Sequence, residues 1–153
     1  MRYLELLIPP PVLAAGFVLA VWITARYDAL VHASFPEQWM VALTLVTVGS
    51  LISLIGVVEL MRARTTINPV APGSTTTIVS TGVYRLSRNP MYLGLALTGL
   101  GFVIWKSALI GYPLLFASCA YLTRFQIIPE ERALLARFGV EFRQYMDEVR
   151  RWI

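Results

Sequence analysis

Histidine, cysteine and lysine are nearly missing from this chain: His32, Cys119 and Lys106 are the single examples of each. One histidine and one cysteine cannot assemble a zinc site, which takes four such ligands or three plus a water. One cysteine also excludes a disulfide within the chain, so thiol usage says nothing about redox compartment. Cys119 lies inside an apolar run and reads as a small buried or lipid-facing hydrophobe. No Ser-His-Asp set falls within plausible reach, and no G-x-x-x-x-G-K-[ST] phosphate loop occurs. The GLG at Gly99 to Gly101 lacks the third glycine and the preceding strand of a dinucleotide fingerprint, and reads as helix packing. Internal repeats and low-complexity segments are absent as well.

Charge is scarce too. Only 14% of the 153 residues are charged, against roughly a quarter in a soluble domain. The chain is 57% hydrophobic and its mean hydropathy is +0.65. That much apolar surface has to face something, and a bilayer is the simplest candidate. The net charge of +4 would suggest nucleic acid in a soluble protein, but here the arginines flank hydrophobic runs, so membrane topology explains them better.

What is present is a series of apolar runs. The first spans roughly Leu6 to Ile23 and extends as far as Val31, with Pro9, Pro10 and Pro11 in its first turn, where proline is tolerated. It is not read as a cleaved signal: Val31-His32-Ala33 matches a cleavage site poorly. The second, Trp39 to Met61, has one charge, Glu59, and exceeds the ~20 residues that span a bilayer core. Its Gly49, Ser53 and Gly56 fall at helical spacing and admit a close neighbour, within the chain or from a second one; Gly94 and Thr98 of the third run carry the same ambiguity. Glu59 and Arg62 stand i, i+3 and are expected to pair.

A polar stretch from Arg62 to Pro90 follows, with TTINP (Thr65 to Pro69), APGS and TTT, whose proline, glycine and threonine argue against a continuous helix. Loops of that length tend to be functional or disordered. The third run, Met91 to Trp105, would be about 22 Å long as a helix, short of the roughly 30 Å core. Lys106 and Ser107 separate it from the fourth, Ala108 to Thr123, which holds Pro113. The pair reads as a helical hairpin. Beyond Arg124, Pro129-Glu130-Glu131 resembles a helix start and Gly139 a stop. Phe142, Tyr145, Met146, Val149 and Trp152 then recur at three- and four-residue steps, an amphipathic helix suited to the plane of the membrane interface.

The expected architecture is therefore an all-α integral membrane protein with about four transmembrane helices and cytoplasmic C-terminal amphipathic helices. It is read as one domain over 1–153: two N-terminal spans (1–61), a cytoplasmic loop (62–90), a helical hairpin (91–123) and cytoplasmic tail helices (124–153). With four spans, Arg2, Arg62, Arg64, Arg85, Arg88, Arg124, Arg132, Arg137, Arg143, Arg150 and Arg151 share one side, and only Arg26 and Lys106 the other. That bias predicts both termini in the cytoplasm of a multi-pass inner-membrane protein.

Two polar clusters then lie on the cytoplasmic face. One is Arg85, Arg88, Asn89 and Tyr92, with Pro90 opening the third helix and Asn89 at its N-cap. The other is Glu130 and Glu131, roughly 100° apart around a helix: one can bind a ligand cation while the other pairs with arginine. Taken singly, the arginines read as topology anchors, Asn89 as a cap, Tyr92 as an interfacial aromatic and the glutamates as complements to a helix dipole. Taken together, they suit a zwitterionic ligand with an extra cation. S-adenosylmethionine has that character, and methyl transfer from it is mainly positioning, desolvation and electrostatics.

RNPMYLG (Arg88 to Gly94), PEE (Pro129 to Glu131) and LARFGVEFRQYMDEVRRW (Leu135 to Trp152) resemble, in order and spacing, the membrane methyltransferases related to isoprenylcysteine carboxyl methyltransferase and phospholipid methyltransferase. The resemblance covers roughly Thr65 to Trp152. It implies a helical membrane core with a cofactor pocket built by the C-terminal half and open to the cytosol. On that resemblance Arg88, Asn89, Pro90, Tyr92, Gly94, Glu130, Glu131 and Tyr145 are the cofactor-binding candidates, with Phe138-Gly139 helping to close the pocket. Arg88 and Arg143 are the candidates for a catalytic role, and no metal is implied. Asn89 departs from the pattern: the isoprenylcysteine enzymes usually carry histidine there, and asparagine cannot titrate near neutral pH. The acceptor stays open among a lipid amine, a prenyl-cysteine-like carboxylate and a small apolar thiol or phenol. Two other classes also stay open. One is a non-catalytic membrane scaffold or subunit. The other is an NADPH-dependent enzyme like the sterol reductases, which share an R-H-P-x-Y core but usually end in a K-Y-G-x-x-W type tail.

Overall fold

The computed structural model describes residues 5–27, 34–66 and 75–153. Every regular element in them is helical. Helix α1 spans Pro10–Tyr27, α2 Gln38–Arg62, α3 Pro90–Lys106, α4 Gly111–Leu122, α5 Ile128–Phe138 and α6 Val140–Glu148, with a 3₁₀ turn at Gly82–Arg85. The expected end of the first run at Val31, the His32 segment and most of TTINP lie outside the described residues.

Helix α2 is the one described helix both long and apolar enough to cross a membrane; α1 and α3 are apolar but shorter. It packs along α3, with contact made by small residues. A Cβ on Gly49 would meet the Gly94 carbonyl oxygen at 2.6 Å, and one on Gly101 would meet that of Ala42 at 2.8 Å. Ser53 Oγ closes the contact by donating to the Met91 carbonyl, 3.0 Å away. The small-residue stripe on α2 is thus used within the chain. Gly99, two residues before Gly101, points the other way around α3, where Phe17 of α1 and Leu115 of α4 occupy the space. The GLG stretch lets two neighbours approach one helix from opposite sides.

Ser107 turns the chain in the left-handed region (φ 54°). There α4 folds back on α3, its Gly111 seated against Val103. Helix α5 begins where the sequence suggests, with Pro129 and both glutamates in its first turn, but it follows the preceding helix without a break. The backbone stays helical from Gly111 through Phe138, passing through one wide π turn at Thr123–Ile127, and Ile127 keeps helical angles (φ −65°, ψ −49°). Proline 129 stands at the seam between the π turn and α5. It lacks an N–H to give to the preceding turn, and the Phe125 carbonyl instead accepts from the Leu6 N–H at 2.9 Å. Glu5 secures the same segment, its carboxylate bridging Arg124 at 3.3 Å and Arg132 at 3.1 Å.

The amphipathic tail also departs from expectation. The apolar face of α6 is not free to lie in a membrane interface. Phe142, Tyr145 and Val149 are buried against Ile78 and against Leu134, Leu135 and Phe138 of α5. The helix ends at Glu148, and Val149 is extended. Trp152 then packs onto Tyr92, Leu122 and Ile127, and its indole N–H donates to Thr123 Oγ1 at 3.3 Å. The tail therefore returns to the π turn and covers the start of α3.

Candidate active site

The end of α2, the start of α3, helices α5 and α6, and the loop residues Thr75, Thr77, Ile78 and Val79 with Tyr84 line an open cavity of about 140 Å³. Arg88, Asn89, Tyr92, Glu130, Glu131 and Tyr145 all line it. Three other candidates stand elsewhere. Pro90 is buried, its ring against Gly56. Gly94 is consumed by the contact with α2. Arg143 is exposed on α6, outside the cavity wall.

The two adjacent glutamates divide as their angular separation requires. Glu131 is claimed by arginines: Arg88 Nη2 donates to Oε1 at 2.9 Å, and Arg151 donates through Nε to Oε1 at 3.1 Å and through Nη2 to Oε2 at 2.7 Å. Such charge-assisted forks fix geometry as well as contribute energy. Arg88 also donates from Nη1 to the Met146 carbonyl at 2.8 Å, so one guanidinium ties the α3 entrance to α5 and α6. Arg88 Nε is buried with no acceptor among the described residues.

Glu130 receives no arginine. Tyr92 Oη and Gln126 Nε2 each donate to its Oε1 at 2.6 Å. Its carboxyl is raised to about 7: burial disfavours the ionised form, and the neighbouring Glu131 adds to that, while the donors from Tyr92 and Gln126 act the other way. Gln126, buried one turn before Glu130, was not singled out in the sequence. The i, i+4 spacing to Glu130 was its only signal.

Asn89 occupies the N-cap position of α3, yet its side chain caps nothing. Its Nδ2 donates to the Arg151 carbonyl at 2.9 Å, beside the backbone bond from Arg88 N–H to the Arg150 carbonyl at 3.0 Å. Ser87 Oγ accepts the Asn89 N–H at 3.1 Å. Asn89→Asp would keep an excellent cap residue but lose the Nδ2 donor. Asp is therefore expected to destabilise as much as Ala, by about 1 kcal/mol, the net worth of one hydrogen bond. Thermal unfolding of the two variants in detergent checks this; an Asp variant as stable as the parent would restore the capping role.

Opposite the charged wall the cavity is aromatic and aliphatic. Tyr84, Phe142 and Tyr145 face it with Ile78 and Val79, and Tyr145 Oη donates to the Tyr84 carbonyl at 2.7 Å. The turn that presents Tyr84 is fixed from α2. Glu59 does not pair with Arg62; its Oε1 accepts the Val83 N–H at 3.3 Å. Gly82, at φ 53°, fits under that carboxylate because it has no Cβ. Sequence patterning marked the 62–90 loop as functional or disordered without showing which residues turn inward.

Apolar helices, one of them long enough to cross a membrane, carry a mostly apolar cavity into which a few charged side chains project, and that cavity is the candidate site. The chain belongs to the phospholipid methyltransferase family, whose model matches residues 38–141. That range takes in α2, α3, α4 and α5, and with them both glutamates and the Arg88 to Tyr92 segment. A protein of Haemophilus influenzae described only as an uncharacterized protein is 35% identical over 63 residues, 41% of this chain and the whole of that one. No solved structure matches. Membership indicates methyl transfer with a lipid as substrate.

Proposed function

We propose that the protein transfers a methyl group from S-adenosylmethionine to a lipophilic acceptor at the cytoplasmic face of the membrane. The carrying observation is the composition of one cavity. Arg88 brings a buried, unpartnered N–H, the complement of a carboxylate. Glu130 brings a carboxylate that no arginine neutralises, the complement of a cation. Tyr84, Phe142 and Tyr145 bring flat walls suited to a purine. A zwitterion with a sulfonium and an aromatic base fits that donor set. Arg88, Asn89, Tyr92, Glu130, Glu131 and Tyr145 would hold it, and when bound it supplies an electrophilic methyl group. The chain's part is to orient, to exclude water and to set the charge around the reacting atoms.

A second cavity, about 210 Å³ and almost wholly apolar, lies among α1, α2, α3 and α4. Leu95 and Leu122 line it, and both pack against the buried Tyr92 that borders the polar cavity. Tyr92 thus stands between a charged chamber and a greasy one, the layout required for an acceptor with a polar end and an apolar body. With four spans, the arginine bias of the sequence supports placing this end of the bundle in the cytoplasm.

The test is calorimetric titration of the detergent-purified protein with S-adenosylhomocysteine and, separately, NADPH. Saturable binding of the first alone is expected. Binding of NADPH alone would move the protein to the reductase class, and binding of neither by a folded sample would make it a scaffold.

A further inference from the structure

The π turn sets which side chains meet Glu130. A straight α-helix turns about 100° per residue, so Leu122 and Ile127 would stand about 140° apart around it, and Leu122 and Glu130 about 80°. Across the turn the Ile128 N–H reaches back five residues to the Thr123 carbonyl, one more than in an α-helix. The extra residue takes about 100° out of each separation. Leu122, Ile127 and Glu130 then share one stripe, and Tyr92 meets all three. Gln126, inside the turn and buried, adds its donor to Glu130 Oε1 at 2.6 Å.

The segment before α1 fastens this turn. Pro129 has no N–H for the Phe125 carbonyl, and the Leu6 N–H supplies one at 2.9 Å. Leu6 does so from the left-handed region, φ 58°, a conformation that persists in such a residue only where its surroundings fix it. The Glu5 carboxylate does the fixing: it takes Arg124 from the turn and Arg132 from α5, on both sides of the seam. Glu5, Leu6, Arg124 and Arg132 line neither cavity.

We propose that Glu5 and the Leu6 N–H are positioning groups of the site: they hold the π turn in register and through it keep Gln126 and Tyr92 together on Glu130. The inference rests on the reading above, in which Glu130 faces the cofactor's cation. The sign of one shift separates this role from a plain electrostatic one. Glu130 faces the Tyr92 and Tyr84 phenols, Gln126, and Glu131 with its bound Arg88 and Arg151. Removing Glu5 deletes an anion and uncovers two cations. Acting through space, that change would favour ionised Glu130 and lower its titration. Acting through the turn, it loosens a donor to the carboxylate and raises it.

The experiment follows the Glu130 carboxyl band by infrared spectroscopy across neutral pH in the detergent-purified protein, with Glu130→Gln to assign the band. Glu5→Ala cuts the bridge. Pro129→Ala changes no charge and offers the Phe125 carbonyl a rival N–H, so it challenges the Leu6 bond directly and carries the test if Glu5→Ala does not fold. Gln38→Ala is the control, breaking the pair with Ser107 at the far end of α3. In the parent the midpoint is expected at about 7. Glu5→Ala and Pro129→Ala should raise it by about one pH unit, the worth of one hydrogen bond to a charged group. Gln38→Ala should leave it in place even where it lowers the melting temperature as much. Hydrogen exchange of the Leu6 amide should be at least about tenfold faster in Glu5→Ala than in the parent. A midpoint that falls or stays put in either variant overturns the proposal. So does an equal rise in Gln38→Ala, which would make the effect one of general loosening. Calorimetry with S-adenosylmethionine keeps the two readings apart. With the midpoint raised, affinity at pH 7 should drop by about fivefold, the loss of ionised Glu130. A raised midpoint with unchanged affinity overturns the positioning role while leaving the proposed function standing. A parent that binds no S-adenosylmethionine removes that function, and the infrared titration still decides whether the segment before α1 governs Glu130.

Discussion

Glu131→Ala is expected to unlock the whole C-terminal half of the protein. The side chains of Glu131 and Arg88 are only 10% and 9% exposed, so removing the carboxylate strands a buried guanidinium. Breaking a buried pair in this way costs about 3–5 kcal/mol. Arg151 is 35% exposed and will recover part of its loss in water, which places the effect near the lower bound. About 3 kcal/mol is a large share of the 5–15 kcal/mol that holds a domain together, and would lower the melting temperature by about 6–12 °C in a chain of this size.

The damage should spread along a defined path. Arg88, Asn89 and Ser87 all grip the backbone of Arg150 and Arg151, and the Arg151 side chain is what holds that backbone to α5. Hydrogen exchange of residues 149–153 should therefore rise first, and with it exposure of Trp152, whose fluorescence reports on its seat against Tyr92 and Leu122. The double variant Glu131→Met with Arg88→Met supplies the decisive comparison. If the clamp's main energetic feature is the penalty for an uncompensated charge, the double variant is more stable than Glu131→Ala, although more atoms have changed. A double variant that sums the two single losses would mean that the two side chains are not coupled and that no stranded charge enters either single loss.

The clamp shows where sequence reasoning succeeded and where it failed. That the two glutamates would take different partners followed from about 100° of helical rotation, and the structure gives Glu131 to Arg88 and Arg151 and Glu130 to Tyr92 and Gln126. The limits of α2 and α3 were legible to within a residue because charged or turn-forming residues bracket unbroken apolar runs. Pro129 marked the start of α5 but hid that the backbone before it is already helical, because proline is favoured at a helix start and also tolerated where the ladder has been widened. A π turn has no composition of its own, and only the Leu6 N–H arriving from the far end of the chain reveals where the freed carbonyl went. The α6 face misled for another reason: a three- and four-residue period states that a face is apolar, not whether lipid or protein covers it. Ile78, in a loop of threonines far upstream, is part of what covers it. Asn89 was placed at the right backbone position and given the wrong partner, because the carbonyl it serves belongs to the chain end.

Gly94→Leu should be the most damaging single change outside the site. A Cβ at Gly94 would overlap Ser53 Oγ and the Gly49 carbonyl oxygen and sit 2.9 Å from the Ser53 nitrogen. Backbone has no rotamer to change, so α2 and α3 would have to separate. Inserting methylenes into a packed core typically costs 1–3 kcal/mol when side chains can yield; here they cannot, and a loss above about 3 kcal/mol is expected. In a bilayer nothing else compensates, since lipid tails are as apolar as the helix faces and association depends on close packing and on bonds such as Ser53 to Met91. Gly94→Ala should already be clearly destabilising. Helix propensity alone argues the opposite, favouring alanine by about 1 kcal/mol, so the sign of the change separates packing from propensity. Gly16 on α1 is the matched control: a Cβ there meets nothing within 4 Å, and Gly16→Ala should be neutral or stabilising. Size-exclusion profiles and thermal unfolding of the three variants in detergent decide the matter. Gly94→Ala as stable as the parent would mean that α2 and α3 do not approach as closely as their glycines allow, and the position of Tyr92, two residues away on the same helix, would lose its anchor.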